Sequence, residues 1–295
     1  MQALRPFITS LALLLALSAG RAAEAPALVT LLEGQATVIQ GVRAHAAAVG
    51  ARLGPGTLVE TDAQLTLLRL EWPDGSLLDL GPATKVMLRP AAAAGRKPAQ
   101  FYLLQGWAKQ TQPAAAAGQL GLAAEVAPFK GVLVSQADDE GTLLFSESGA
   151  MQVAPRRGGA AMALKAGEAA GFASNLQPQL LARPPSTWLQ KVPRAFRETI
   201  PPRAALVKGP EPTLVPRAAL RYVALQPWLA AEPAVRRDFP QRFAELLADP
   251  EFRQAVDRAL AQHPEWEPVL RPPKPPPTAR PVRRNTDTPD QEPPR

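Results

Sequence analysis

GARLGPGTLVETDAQLTLLRLEWPDGSLLDLGPATKVMLR, residues Gly50 to Arg89, decides how the rest of this chain is read. Thr66, Leu68, Leu70 and Trp72 fall on one side and Leu65, Leu67, Arg69 and Glu71 on the other. This alternation of apolar and polar residues is the periodicity of a strand. Pro73-Asp74-Gly75 then supplies a turn, with φ fixed at the proline and a positive φ easily reached at the glycine. A second short strand follows in Ser76 to Leu80. Gly81-Pro82 breaks it, and a third runs from Lys85 to Arg89, with Val86 and Leu88 opposed to Lys85, Met87 and Arg89. The block is a run of short strands rather than a helix.

Working outward, punctuation recurs at Gly34, Gly41, Gly54, Gly75, Gly81, Gly106, Gly131, Gly141, Gly149 and Gly167. Spacing that short suits a β architecture, either a sandwich or barrel or a solenoid-like stack, and excludes long helices. Two alanine-rich stretches, Ala91 to Ala94 and Ala114 to Ala117, are each followed by glycine and read as surface loops.

The ordered spacing of these pieces resembles the FecR-type periplasmic domain family. The resemblance lies in the glycine-spaced passage Gly50 to Thr61, the strand ending in Asp74-Gly75-Ser76, and Leu80-Gly81-Pro82-Ala83-Thr84 before the third strand. Downstream it continues through Phe129-Lys130-Gly131-Val132-Leu133-Val134, the acidic turn Asp138-Asp139-Glu140-Gly141, and Met162-Ala163-Leu164-Lys165-Ala166-Gly167-Glu168. Gly131-Val132 stands where the family has Gly-Thr, so the second half is a degenerate copy. The resemblance covers about residues 30 to 173. It implies a periplasmic β module that senses an envelope partner and, in the family's best-known members, controls a sigma factor through a cytoplasmic segment. Only six residues precede the first apolar run here, so that segment is not expected.

That apolar run, Phe7 to Ala19, follows Arg5 and precedes small residues, as in an export signal cleaved after Ala22. Its 13 residues fall short of the roughly 20 needed to span a bilayer. With no cysteine, disulfides, thiolate chemistry and cysteine lipidation are excluded. The expected location is therefore a bacterial periplasm, with membrane anchoring only if the signal is retained. Export also changes the meaning of the +7 net charge, which would otherwise suggest a nucleic-acid partner. Residues 183 to 295 hold 19 basic and 13 acidic side chains, against 14 and 13 before them. A basic C-terminal third either meets anionic envelope surfaces or simply keeps the chain soluble.

Beyond the β module, expected over residues 23–182, the composition changes. Prolines at 193, 201, 202, 210, 212 and 216 predict an extended connector over residues 183–231, able to lie along the β domain. Pro-Arg-Ala-Ala-Leu occurs at 202–206 and again at 216–220, either as two docking strips or by compositional coincidence. Residues 232–264 read as a helical hairpin. Its second helix opens at Asp249-Pro250-Glu251, and its apolar stripes run through Phe239, Phe243, Leu246 and Leu247, then Phe252, Ala255, Val256, Ala259 and Leu260. Ten of the 31 residues from Glu265 onward are proline, which predicts a disordered tail over residues 265–295.

A catalytic centre finds little support. The two histidines, His45 and His263, fall in different modules, and neither G-x-S-x-G nor S-x-x-K occurs. Asp138-Asp139-Glu140 lacks the alternating spacing of a calcium loop and reads as a hairpin tip, while Asp74 is expected to bond the turn backbone. No metal, cofactor or catalytic residue is expected. Trp72 is assigned to the core. The binding candidates are Tyr102, Trp107, Trp228 and Trp266, as groove-lining or anchoring aromatics. The sequence thus reads as a mainly β, non-enzymatic exported interaction, scaffold or signalling module, with a small helical segment and a Pro-rich tail. Its partner is an envelope protein or, as the alternative, peptidoglycan or another cell-wall glycan.

Overall fold

The structure, a computed structural model, describes residues 25–90, 99–113, 120–121, 124–156, 159–173 and 178–272. The export-signal segment, both alanine-rich stretches and the tail beyond residue 272 lie outside the described residues.

Among the described residues sixteen strands form the β region. Those of the first half are β1 (Ala27–Glu33), β2 (Ala36–Gln40), β3 (Arg43–Ala46), β4 (Arg52–Leu53), β5 (Leu58–Thr61), β6 (Leu67–Glu71), β7 (Leu77–Leu80), β8 (Lys85–Leu88) and β9 (Phe101–Gln112). The second half adds β10 (Leu120–Gly121), β11 (Ala124–Val126), β12 (Lys130–Asp138), β13 (Gly141–Pro155), β14 (Met162–Leu164), β15 (Ala169–Ala173) and β16 (Gln179–Leu181). They arrange as two packed sheets, a sandwich. The first sheet runs β4-β1-β6-β7-β9-β12-β13-β15-β16, antiparallel throughout. The second runs β3-β2-β5-β8-β9-β10-β11-β13-β14, with a short parallel contact between β9 and β10.

Two long strands belong to both sheets. β9 pairs with β8 up to Gln105 and with β7 and β12 from Gly106 onward. The switch needs a sharp bend, which glycine provides: Gly106 has φ +90°, and a Cβ there would collide with Thr84. The Thr84 hydroxyl accepts from the Trp107 amide (2.8 Å), and Thr84's own amide donates to Thr61 Oγ1 (2.8 Å). The Gly-Pro-Ala-Thr sequence thus serves the corner where the sheets join. β13 bends likewise at Gly149, φ +85°.

Between the sheets lie two apolar cores. Val29, Val38, Val59, Leu68, Leu70, Trp72, Leu78, Leu80, Val86, Phe101 and Leu103 fill the first. Val126, Leu133, Leu144, Met151, Val153, Leu164 and Phe172 fill the second. A buried polar chain is embedded beside them: Ser76 Oγ donates to Gln112 Oε1 (2.6 Å), and Gln110 and Gln112 both donate to Gln100 Oε1 (2.6 and 2.5 Å).

The chain forms two compact units. One holds the strands and everything to Arg217; the other holds Ala218 onward with the Gly41–Arg43 turn. The connector expected over 183–231 is therefore divided. Its first part, with α1 (Ser186–Lys191) and 3-10 turns at Arg194–Arg197 and Ala204–Leu206, belongs to the β unit. Its last part is helical: α2 (Tyr222–Leu229) accommodates Pro227 within the helix and buries Leu225, Trp228 and Leu229. The sequence reading missed α2 because two prolines nearby outweighed one turn of apolar spacing.

The second unit continues with α3 (Pro233–Arg236), α4 (Phe239–Arg242), a 3-10 turn at Ala244–Ala248, α5 (Pro250–Arg258) and α6 (Glu267–Leu270). Asp249 caps α5 by accepting from the Glu251 amide (2.9 Å), as its sequence predicts. The expected hairpin is instead a cluster of short helices. The first residues of the segment expected to be disordered from Glu265 are ordered instead: Trp266 is fully buried with its ring 6.2 Å from Phe252, and α6 follows it.

Candidate functional site

Arg69 and Glu71 lie on the face of β6 opposite Leu68 and Leu70. All five residues of the strand are buried, Arg69 to 3% exposure and Glu71 to 3%. The reason is the connector, which lies across this outer face of the first sheet.

Register builds the site. Leu31, Arg69, Asp79, Lys109, Val134 and Phe145 stand opposite one another on adjacent strands. This row therefore runs apolar, plus, minus, plus, apolar across the sheet. Arg69 and Asp79 form a two-pronged pair: Nε donates to Oδ1 at 2.6 Å and Nη2 to Oδ2 at 2.7 Å. Burial works against the Arg69 charge. The hydrogen bonds and charge of Asp79, with Glu71 adding, more than reverse that, so the guanidinium titrates above its ordinary range.

The prongs left over hold the connector by its backbone. Arg69 Nη1 donates to the carbonyls of Ile200 (2.6 Å) and Pro201 (3.2 Å). Glu71 accepts from the amides of Arg203 (2.7 Å) and Ala204 (3.0 Å), and from Thr30 Oγ1 (2.8 Å). Lys109 Nζ donates to the Phe196 carbonyl (2.6 Å) and pairs with Glu147 (2.8 Å). Beside this polar track Leu67, Val134, Trp188 and Phe196 form an apolar patch, with Leu31, Trp107, Phe145 and Ile200 against it. Trp188 lies 5.2 Å from the Trp107 ring and 6.0 Å from Phe145.

Farther on, the connector reaches two sheet edges. Glu211 accepts from the Arg52 amide of β4 (2.9 Å). Val215 to Arg217 line up beside β3, with Ala46 N donating to Val215 O and Arg217 N to Ala44 O, each 2.8 Å. His45 faces Pro216 in that bridge, on strand β3.

The structure does not gather the aromatic candidates into one surface. Tyr102 is fully buried on β9, and Trp228 and Trp266 are fully buried in the helical unit. Trp107 is half-buried beneath Trp188. Tyr102, Trp228 and Trp266 are thus taken up in packing within their own units, and Trp107 packs against Trp188. Asp74 accepts from the Ser76 amide (2.9 Å), and Asp138 accepts from the Glu140 and Gly141 amides, so both acidic turns stabilise themselves. His263 is buried, and its Nδ1 lies 2.6 Å from Arg236 Nη1, which also meets Glu265 at 2.6 Å. Burial first, and then the Arg236 charge, hold the His263 ring below its usual 6.5. Among the described residues no three His, Asp or Glu side chains form a metal-holding group. No described helix is long and apolar enough to cross a membrane.

The sequence reading overlooked Arg69, Glu71 and Lys109 and assigned Asp79 no role. Charges alternating along a strand resemble a solvated face, and nothing local to β6 shows that a segment 130 residues later covers it.

No protein-family model and no curated protein sequence matches this chain. Two crystal structures of a candidate anti-sigma factor from Parabacteroides distasonis ATCC 8503 are similar to it. They are 16% and 15% identical over 45% of this chain, each with a TM-score of 0.37. This chain covers 64% and 65% of those structures, just under two thirds of their length.

Proposed function

We propose that this protein is a non-catalytic interaction module of the bacterial envelope, a scaffold or signalling component that takes up extended segments of protein partners. The observation that carries this reading is the docking of Val215 to Arg217 on β3 by backbone pairing, which is the chemistry of strand addition. Export to the envelope rests on the N-terminal apolar run. A partner strand would add at the β16 end of the first sheet. There β16 pairs only with β15 among the described residues, and Leu180 is 49% exposed.

In-cell photo-crosslinking tests this. A photoreactive residue at position 180 should capture one defined protein, and the same residue at Glu140, on the β12–β13 hairpin tip, should not. Capture of wall glycan at position 180, or of nothing at either position, would sink the reading.

A further inference from the structure

The connector that roofs the charged row carries most of the molecule's excess charge. Residues 183–217 hold seven basic and two acidic side chains, whereas 23–182 hold 12 and 13 and 218–295 hold 12 and 11. The basic surplus of the C-terminal third thus lies in this short stretch and not in the proline-rich end. The row beneath cancels little of it, because Arg69 pairs with Asp79 and Lys109 with Glu147, which leaves only Glu71 over.

How the connector is held decides where these charges go. The sheet grips it by backbone groups, the Phe196, Ile200 and Pro201 carbonyls and the Arg203 and Ala204 amides, so its long side chains are left for solvent. Lys191, Arg194, Arg197 and Lys208 are exposed and Arg203 is half-buried, while Glu198 is the one acid among residues 191–208. Leucines stand beside these cations. Leu189 is 42% and Leu206 66% exposed, and each is followed two residues later by an exposed lysine, Lys191 or Lys208. The aromatic side chains Trp188 and Phe196 turn inward to the apolar patch instead. A stretch that only kept the chain soluble would gain nothing from bare leucines set between like charges.

We infer that this face of the β unit docks on the surface of an anionic lipid bilayer. Its lysines and arginines meet the headgroup phosphates. Leu189 and Leu206 enter the boundary between headgroups and acyl chains, and the lysine two residues on reaches back to headgroup level along its apolar stem. Nucleic acid fits this surface less well. The connector's aromatic rings are turned inward and leave none on which a base could stack, and phosphate contacts alone have no use for leucine. An acidic protein is the remaining rival, and the test includes it. The β16 edge plays no part in this inference, so the position-180 crosslink and the test below can fail separately.

The test uses the chain from Ala23 onward, so that the N-terminal apolar run cannot itself enter lipid. It should sediment with vesicles of equal parts phosphatidylglycerol and phosphatidylcholine, not with phosphatidylcholine alone, and added salt should release it. Lys191→Gln with Arg194→Gln and Lys208→Gln should lower the affinity about a hundredfold, roughly fivefold for each charge. Lys165→Gln with Arg237→Gln and Arg258→Gln removes the same formal charge from exposed positions outside the connector and should stay within about twofold. Leu206→Ser should weaken binding about threefold or more. All these side chains are exposed, so thermal melting should stay unchanged and loss of fold is separated from loss of docking. Equal affinity of the two triple variants would overturn the inference, as would equal sedimentation with neutral vesicles or unchanged affinity in Leu206→Ser. Tighter binding to soluble polyglutamate than to the anionic vesicles would also overturn it, by making an acidic protein the partner.

Discussion

Leu68 and Leu70 on one side of β6, and Arg69 and Glu71 on the other, are equally buried but by different physics. The leucines enter a dry space between two sheets, where burial is additive and any apolar shape of the right volume serves. Arg69 and Glu71 enter a thin polar layer under the chain's own connector, where each donor and acceptor needs a named partner. The dry face holds the sandwich together. The roofed face holds a segment to the sandwich. The helical unit repeats the second device in small: Arg253 donates to the Leu270 carbonyl (3.1 Å) and Arg236 to that of Gln262 (3.2 Å).

Breaking the pair on the roofed face should have the largest effect. Asp79→Ala strands the Arg69 guanidinium in a buried place, and we expect a loss of about 3–5 kcal/mol in urea unfolding. Arg69→Met with Asp79→Leu should restore most of it while leaving the connector poorly held. A single-variant loss under about 1 kcal/mol would mean that Arg69 escapes to water and that the roof is loose. On the dry face Leu70→Ala should cost about 2–5 kcal/mol, shared by every part of the β unit because it leaves a cavity in the common core. Its effect on the connector amides should only mirror that global loss.

The smallest effect sharpens the comparison in the helical unit. The folded pKa of His263 lies below its unfolded 6.5, so the unfolded chain binds the proton more readily. Its contribution to stability is intact above pH 6.5 and declines as pH falls from 6.5 through the folded pKa, where His263⁺ would face Arg236. His263→Gln should flatten that part of the stability profile. An unchanged slope would assign it to other groups.

The strand Thr66 to Trp72, the Pro73-Asp74-Gly75 turn and the next two strands were legible in the sequence because each is local: alternation, a fixed φ, a glycine. Asp249 was legible for the same reason. The sandwich was one of three readings left open, and the sheet-switching bends at Gly106 and Gly149 decide it. The site was not legible. Arg69 and Glu71 look solvated unless Ile200 to Ala204 are known to cover them, and that contact spans some 130 residues. The setting of Trp228 and Trp266 was not legible for a related reason, since both are buried among helices that proline-rich flanks obscured.

The central claim is that Glu71 holds the connector by its backbone while the sandwich stands without that contact. Site-resolved amide hydrogen exchange on the unaltered chain and on Glu71→Gln tests it most directly. The account predicts that the Arg203 and Ala204 amides are protected in the unaltered chain. In the variant they should exchange about tenfold or more faster, with the Leu68 and Leu70 amides unchanged. Free exchange of Arg203 and Ala204 in the unaltered chain, or equal loss of protection at all four positions in the variant, would contradict it.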